Sequence, residues 1–374
     1  MGDASKSSTP PTPEESTSAE ERTATDAPLA SCTAAERGDA PKVLVIGGTQ
    51  FMGVHTVEAL RAAGYAVTVV NRGVSPWPFG DDVARVRLDR FRDRDELARV
   101  VSDGGWEAVV DFVAFSADDV AHVCRAALGP GSPPPPFYVF ISSDSVYMAC
   151  ERHRIDAARA EGRSLDESDA VRETSRAGIA ACRTRDAYQY RYGSGKLEAE
   201  EELGRMAERC GFPSTSLRLP DVVGPRDNLG GFLGLYERVA RASVGCRVAG
   251  VADGAAHRAS VAFAPDVAAA IVALLPLKRK PPVLHVACAE TPTVAELVAL
   301  VAEARGLDRP PKLDPGRRAP LLSVDVGPVD VSRALACLPG WRPTSLADAV
   351  RATCDWYTVE ANAAYTRRLA EDSD

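Results

Sequence analysis

"VLVIGGTQFMG", residues Val43–Gly53, runs from four apolar residues straight into a cluster of glycines. A short, wholly apolar run that ends in glycine is the pattern of a parallel strand buried on both faces. In "VHTVEALRAAG", which follows, Val54, Val57 and Leu60 recur at helical spacing and Gly64 supplies the stop. The stretch therefore predicts strand, tight turn and helix. In a dinucleotide-binding turn the first glycine makes the bend and the next lets backbone approach a pyrophosphate. The last lets the helix pack closely on the strand, and the phosphates sit at the helix N-terminus. Gly47, Gly48 and Gly53 stand at those places, and Gln50, Phe51 and Met52 complete the turn as further cofactor-contacting candidates. Gln50 occupies a position that is normally small, so the turn reads as a modified cofactor site.

The same alternation continues outward. "AVTVVNRG" (Ala66–Gly73), "RVRLD" (Arg85–Asp89), "WEAVVDFVAF" (Trp106–Phe115) and "FYVFISS" (Phe137–Ser143) read as strands. Helical segments lie between them at "DRDELARVVSDGG" and "DDVAHVCRAAL", and "GPGSPPPP" reads as a turn-rich linker. Strands alternating with helices imply βαβ units. The expected class is α/β, a Rossmann-type doubly wound parallel sheet with a smaller C-terminal substrate-binding region. Residues 42–217 form the dinucleotide-binding part. Residues 218–374 are mainly the substrate-binding part, with some segments returning to the sheet. An Arg-rich stretch of weak periodicity at about 148–187 reads as a partly helical, surface-lying insertion. Residues 1–41, rich in Ser, Thr, Pro and Glu, read as a disordered tail without the apolar core of a signal peptide.

Composition narrows the partners. The chain has 374 residues, 45% hydrophobic and 26% charged, enough for a large core. A net charge of −8 argues against nucleic acid, and no apolar stretch is long enough to span a membrane. Nine scattered cysteines at no CxxC spacing and five unclustered histidines point to reduced thiols, a cytoplasmic setting and no metal site.

Two further groups carry chemistry. At the end of the second strand the chain offers Asn71 and Arg72 and no carboxylate, a combination that favours NADP over NAD. Tyr192 and Lys196 stand four apart on a predicted helix and share a face. An ammonium beside a phenol lowers its pKa and equips it to exchange a proton with an alcohol or carbonyl. Ser143, in "SSDSVY", stands at the carboxyl edge of the sheet where α/β ligand sites form.

The glycine turn, Ser143, the Tyr192–Lys196 helix and "RLPDVVGPRD" (Arg218–Asp227) come in an order that resembles the extended short-chain dehydrogenases/reductases. These are the NAD(P)-dependent epimerase/dehydratase group, which typically acts on nucleotide sugars. The likeness runs from Lys42 to Tyr357. It implies a small-molecule substrate and a catalytic set of Ser143, Tyr192 and Lys196, with Lys196 also holding the nicotinamide ribose. Gly47, Gly48 and Gly53 would line the pyrophosphate and Asp89 would meet the adenine amino group. Arg258, in "HRASVAF", would contact a substrate phosphate. The resemblance also implies a possible homodimer through the Tyr/Lys helix, against which the acidic run "EAEEEL" counts. Ser143 and Tyr192 are 49 positions apart, longer than the family's usual interval, so the insertion lies beside the site. "GGTQFMG" with "NRG" also resembles an atypical branch that includes plant chloroplast stem-loop-binding proteins. Two function classes follow. One is an epimerase/dehydratase-like oxidoreductase or isomerase with Tyr192 as acid/base. The other is a non-catalytic NADP-binding regulatory or RNA-associated protein, which would have no need of the complete Ser/Tyr/Lys set.

Overall fold

A computed structural model of the chain describes residues 40–129, 134–249, 251–322 and 324–371. The expected tail therefore lies outside the described residues up to position 39, and the centre of the proline-rich linker is outside them too.

Eleven strands and twelve α-helices follow in chain order among the described residues. The strands are β1 (Lys42–Ile46), β2 (Ala66–Asn71), β3 (Ala84–Arg87), β4 (Ala108–Asp111), β5 (Phe137–Ser143), β6 (Ser214–Leu219), β7 (Asp221–Val223), β8 (Ser243–Arg247), β9 (Val261–Phe263), β10 (Val283–His285) and β11 (Lys312–Arg318). The helices are α1 (Phe51–Ala62), α2 (Arg94–Asp103), α3 (Ala117–Ala127), α4 (Arg152–Ala160), α5 (Arg176–Arg185), α6 (Ala187–Cys210), α7 (Gly231–Ala240), α8 (Ala264–Leu274), α9 (Val294–Ala304), α10 (Ser332–Cys337), α11 (Leu346–Thr358) and α12 (Glu360–Glu371).

Seven strands form one parallel sheet in the order β10-β6-β5-β4-β1-β2-β3. From β1 the chain builds outward through β2 and β3, then crosses back to β4 and builds the other way. That reversal places a topological switch point between β1 and β4, the place where open α/β sheets bind ligands beyond the strand carboxyl ends. Val43, Leu44, Val45 and Ile46 are at most 1% exposed, which explains an apolar run without alternation. One face of β1 packs with α1 and α8 through Val54, Val57, Leu60, Val267 and Ile271. The other packs with α2, α3 and α6 through Leu97, Val120, Val123, Leu203 and Met206. Residues from α7, α9 and α11 share a second core around Phe232, Leu297 and Val350, beside the two-stranded β8–β11 and β7–β9 pairings. β10 joins β6, so a late segment does return to the main sheet.

The insertion departs from expectation. It is partly helical, through α4 and α5, but it does not simply lie on the surface. Ile155, Ala158 and Leu165 pack with Tyr147, Met148, Val326 and Val329 in a core of their own. Its charges are spent internally: Arg163 pairs with Asp169 at 2.6 Å, and Asp325 receives Arg152 at 2.8 Å and Arg159. No helix among the described residues is long and apolar enough to cross a membrane.

Candidate active site

The turn after β1 has the geometry of a phosphate cradle. Gly47 has φ +91°, a left-handed conformation that favours glycine, and its N–H donates to the Val70 carbonyl at 2.9 Å. A Cβ on Gly53 would lie 2.6 Å from the Gly48 Cα, so only glycine lets α1 close on the turn. The N-terminus of α1 has no side-chain cap, which leaves backbone N–H groups for an anion. Phe51 is buried in the core with φ +40°, and Met52 packs against the same core. Their side chains serve packing, and what they offer a phosphate is backbone. Gln50 answers the question its size raised. Its backbone is extended, and its amide reaches sideways, donating to Ser75 Oγ at 2.9 Å and accepting from Asn228 Nδ2 at 3.0 Å. It ties together two loops flanking the turn.

The end of β2 is rich in arginine. Arg72 is exposed. Asn71 is buried, with its Oδ1 accepting from Arg85 Nε at 3.1 Å. The Arg85 guanidinium lies 4.7 Å from the Trp77 ring centroid, while its Nη2 is buried without a hydrogen-bond partner. A Cβ on Gly73 would stand 3.4 Å from that Nη2 and 3.4 Å from Arg87 Cδ. Two strand arginines thus gather beside Arg72, and one carries an orphaned donor. The cradle and the uncapped helix together fit the diphosphate of a nicotinamide dinucleotide. Asp89 is partly exposed, and its Oδ1 accepts the Phe91 N–H at 2.9 Å.

The candidate reactive centre assembles where β5 ends. Ser143 Oγ lies 3.1 Å from Ser145 Oγ and 3.3 Å from Asp144 Oδ1, with Tyr192 beside it. α6 comes this close because of glycine: a Cβ on Gly193 would fall 1.7 Å from the Ser145 carbonyl oxygen, and one on Gly195 2.4 Å from that of Phe115. Lys196, 2% exposed, donates to the Ala114 and Ile141 carbonyls at 2.7 and 2.8 Å, with the Phe115 and Phe140 rings beside it. Burial pulls its pKa down to about 8. An ammonium has three donors, so one remains for a ligand hydroxyl.

Tyr192 differs from the sequence expectation. Its pKa is pushed up to about 12, by burial first and then by the charge of Asp144, against the opposing effect of the neighbouring Ser143. The Lys196 Nζ lies 5.8 Å from the Tyr192 ring centroid and is turned to backbone carbonyls, so the phenol keeps its proton. Asp144 is itself pushed up to about 8 by burial and by Asp221. Burial also raises Asp221, whose Oδ2 accepts the Leu322 N–H at 2.8 Å. Neither acid stood out in the sequence; Asp144 lay unremarked inside "SSDSVY".

Arg258 stands apart from this set. Its guanidinium donates to the Thr291 carbonyl at 2.6 Å and pairs with Glu296 at 3.1 Å, on the wall of a cavity of about 490 Å³ beside the insertion. Arg218 has a structural place instead. It pairs with Glu200 at 2.7 Å and donates to Tyr147 and to the Glu167 carbonyl, tying β6, α6 and the insertion together behind the site. An arginine inside the apolar strand "STSLRL" was the sequence signal for such a buried partner.

Residues 43–129, covering the cradle, the arginine cluster and the β4 end, match the family model described as NAD dependent epimerase/dehydratase family. This segment belongs to that family. Among curated relatives, the 2'-dehydrokanamycin reductase of Streptomyces kanamyceticus is 40% identical over 91 residues, 24% of this chain and 26% of that protein. The chloroplast stem-loop binding protein of 41 kDa b of Arabidopsis thaliana is 27% identical over 158 residues, 36% and 40% of the two chains. The chain thus matches a quarter to two-fifths of these relatives' own lengths. Among solved epimerases, the UDP-glucose 4-epimerase of Thermus thermophilus, in complex with NAD, has a TM-score of 0.63 at 22% identity. That match covers 85% of this chain and 99% of the other, and it shows a common fold.

Proposed function

We propose that this chain is an NADP(H)-dependent oxidoreductase acting on the carbonyl or carbinol carbon of a sugar, with reduction as its favoured direction. The observation that carries this reading is Tyr192, held protonated, beside Ser143 at the end of β5 with the buried Lys196 ammonium 5.8 Å from its ring. A bound nicotinamide supplies or accepts a hydride. Gly47, Gly48, Gly53 and the N-terminus of α1 would hold its diphosphate, and Arg72 and Arg85 a 2'-phosphate. The one unused donor of Lys196 would hold a ribose hydroxyl. Ser143 fixes the substrate oxygen, and Tyr192 gives it a proton as the carbonyl is reduced. Partial identity to a reductase supports this direction. The solved epimerase neighbours support a second reading, in which the same centre returns the hydride to the opposite face.

The first measurement is the nucleotide itself. Denaturing the purified protein is expected to release little nucleotide, and titration should show NADPH binding more tightly than NADH. Arg85→Gln is expected to weaken NADPH about tenfold while leaving NADH unchanged, because a charge-assisted phosphate contact is removed. Stoichiometric NAD in the denatured supernatant would instead make the second reading correct.

The pH dependence follows from Tyr192. Since its phenol titrates near 12, reduction should be nearly flat through neutral pH as far as this group is concerned. Oxidation needs the phenolate, so its kcat/KM should climb about tenfold per pH unit. The climb should break near pH 8, where Lys196 becomes a neutral amine whose two N–H groups are spent on the Ala114 and Ile141 carbonyls, leaving none for the ribose hydroxyl. Oxidation that levels off well below pH 8 would show Tyr192 ionising early in the complex.

A further inference from the structure

Gln50, which stands where a cofactor turn normally has a small residue, holds two loops at once. It donates to Ser75 Oγ at 2.9 Å and accepts from Asn228 Nδ2 at 3.0 Å. Asn228 ends a segment, residues 225–228, that lies beside the first two turns of α1. The Pro225 carbonyl meets His55 Nε2 at 2.9 Å, and Arg226 pairs with Glu58 at 3.3 Å. Between these contacts Asp227 turns the other way and is 1% exposed. Its Oδ2 accepts from the Tyr357 hydroxyl of α11 at 2.6 Å, and its carbonyl accepts from Thr366 Oγ1 of α12 at 2.6 Å. Arg226 takes φ +67° to allow this, a conformation that non-glycine residues rarely adopt and that collects at switch segments. Glycines bound the segment on both sides, Gly224 at φ +148° and Gly230 at φ +73°. Residues 225–228 thus form a strap rooted in the C-terminal helices, and the Gln50 side chain fastens its far end at the N-terminus of α1.

We propose that Gln50 latches this strap at the N-terminus of α1 and thereby gates the exchange of the dinucleotide. This rests on the reading that the cradle holds a nicotinamide dinucleotide, and it names what governs the occupancy of that site. The latch and the anion-binding N–H groups share one residue, because Gln50 is the N-cap of α1 and its side chain caps nothing there. A diphosphate entering or leaving the cradle passes between the two loops that Gln50 ties, so the tie opens first. The latch is made of protein groups alone and closes an empty and a loaded cradle alike. Opening it is therefore a step common to association and dissociation, and it scales both rates by one factor. A reductase that exchanges its cofactor passes this gate twice in each turnover. An enzyme that hands the hydride back to its substrate has no need to pass it.

The test is stopped-flow measurement of NADPH association and dissociation with the full chain, as the parent protein, Gln50→Ala, Asn228→Ala and the double variant. Each single variant should raise both rate constants about fivefold, the effect of one hydrogen bond lost from the closed state, and leave Kd within about twofold. The double variant should be no faster than Gln50→Ala alone, since both substitutions remove the same contact. Hydrogen–deuterium exchange of the protein without nucleotide gives a second readout. Amides of residues 226–230 should exchange faster in both single variants, while those of β1 and β6 keep the parent's protection. Unchanged rate constants overturn the proposal. A Kd that rises through faster dissociation alone also overturns it, because Gln50 would then be a contact of the cofactor and not a latch. If the parent binds NADPH and the variants exchange it no faster, the cofactor reading stands and only the gate falls. If no nicotinamide dinucleotide binds the parent, both fall together.

Discussion

Replacing Tyr192 with phenylalanine is expected to lower kcat for carbonyl reduction by about 10²–10⁴-fold, the usual contribution of one positioned acid. The ring is retained, so its tilted contact with Phe115 at 6.5 Å and its place over Lys196 should survive. NADPH affinity and thermal midpoint should therefore match the parent protein. Stopped-flow NADPH oxidation separates this from a binding defect, because a lost proton donor lowers the rate at saturating substrate. Activity within a few-fold of the parent would move the acid elsewhere, and Asp144, bonded to the same Ser143, would become the candidate.

Breaking the Arg218–Glu200 pair should have the largest effect on stability. Both side chains are about 5% exposed or less, and Ser142 Oγ adds a hydrogen bond to Glu200 at 2.6 Å. Arg218→Met leaves Glu200 charged in the interior and should cost about 3–5 kcal/mol. It also frees the Glu167 carbonyl and the Tyr147 hydroxyl from the guanidinium, loosening the insertion next to the site. Adding Glu200→Leu to that variant should recover most of the loss, since the stranded charge is gone. Urea unfolding of the four proteins in this cycle measures it. A single-variant loss under about 1 kcal/mol would mean that the pair is solvated and not the tie it looks to be.

The parts legible beforehand are those written in local pattern. A run such as Val43–Ile46 can be buried on both faces only in a covered parallel strand, and β1 has that place. Gly47, Gly48 and Gly53 each meet a demand local to one turn, a positive φ or a missing Cβ. "FYVFISS", read as a strand over Phe137–Ser143, is β5 with those same bounds. The insertion was harder to read. Its arginines suggested a solvated surface, yet the carboxylates that neutralise them include Asp325, far along the chain. Three or four widely spaced apolar residues then suffice to bury it, too few to set up a period.

Sequence alone determined the alternation of strands and helices and the glycine turn after β1, which depend on residues within a few turns of one another or on one apolar period. It also offered Ser143, Tyr192 and Lys196 as candidate groups. Tertiary structure decided what those groups are chemically. Asp144 and Asp221 come from separate strand ends, and only the folded sheet brings their charges together beside Tyr192. Lys196 is likewise set by Ala114 and Ile141, whose carbonyls turn its ammonium toward backbone. Proton affinity depends on burial and on charges a few ångströms away, and those distances exist only once the chain has closed on itself.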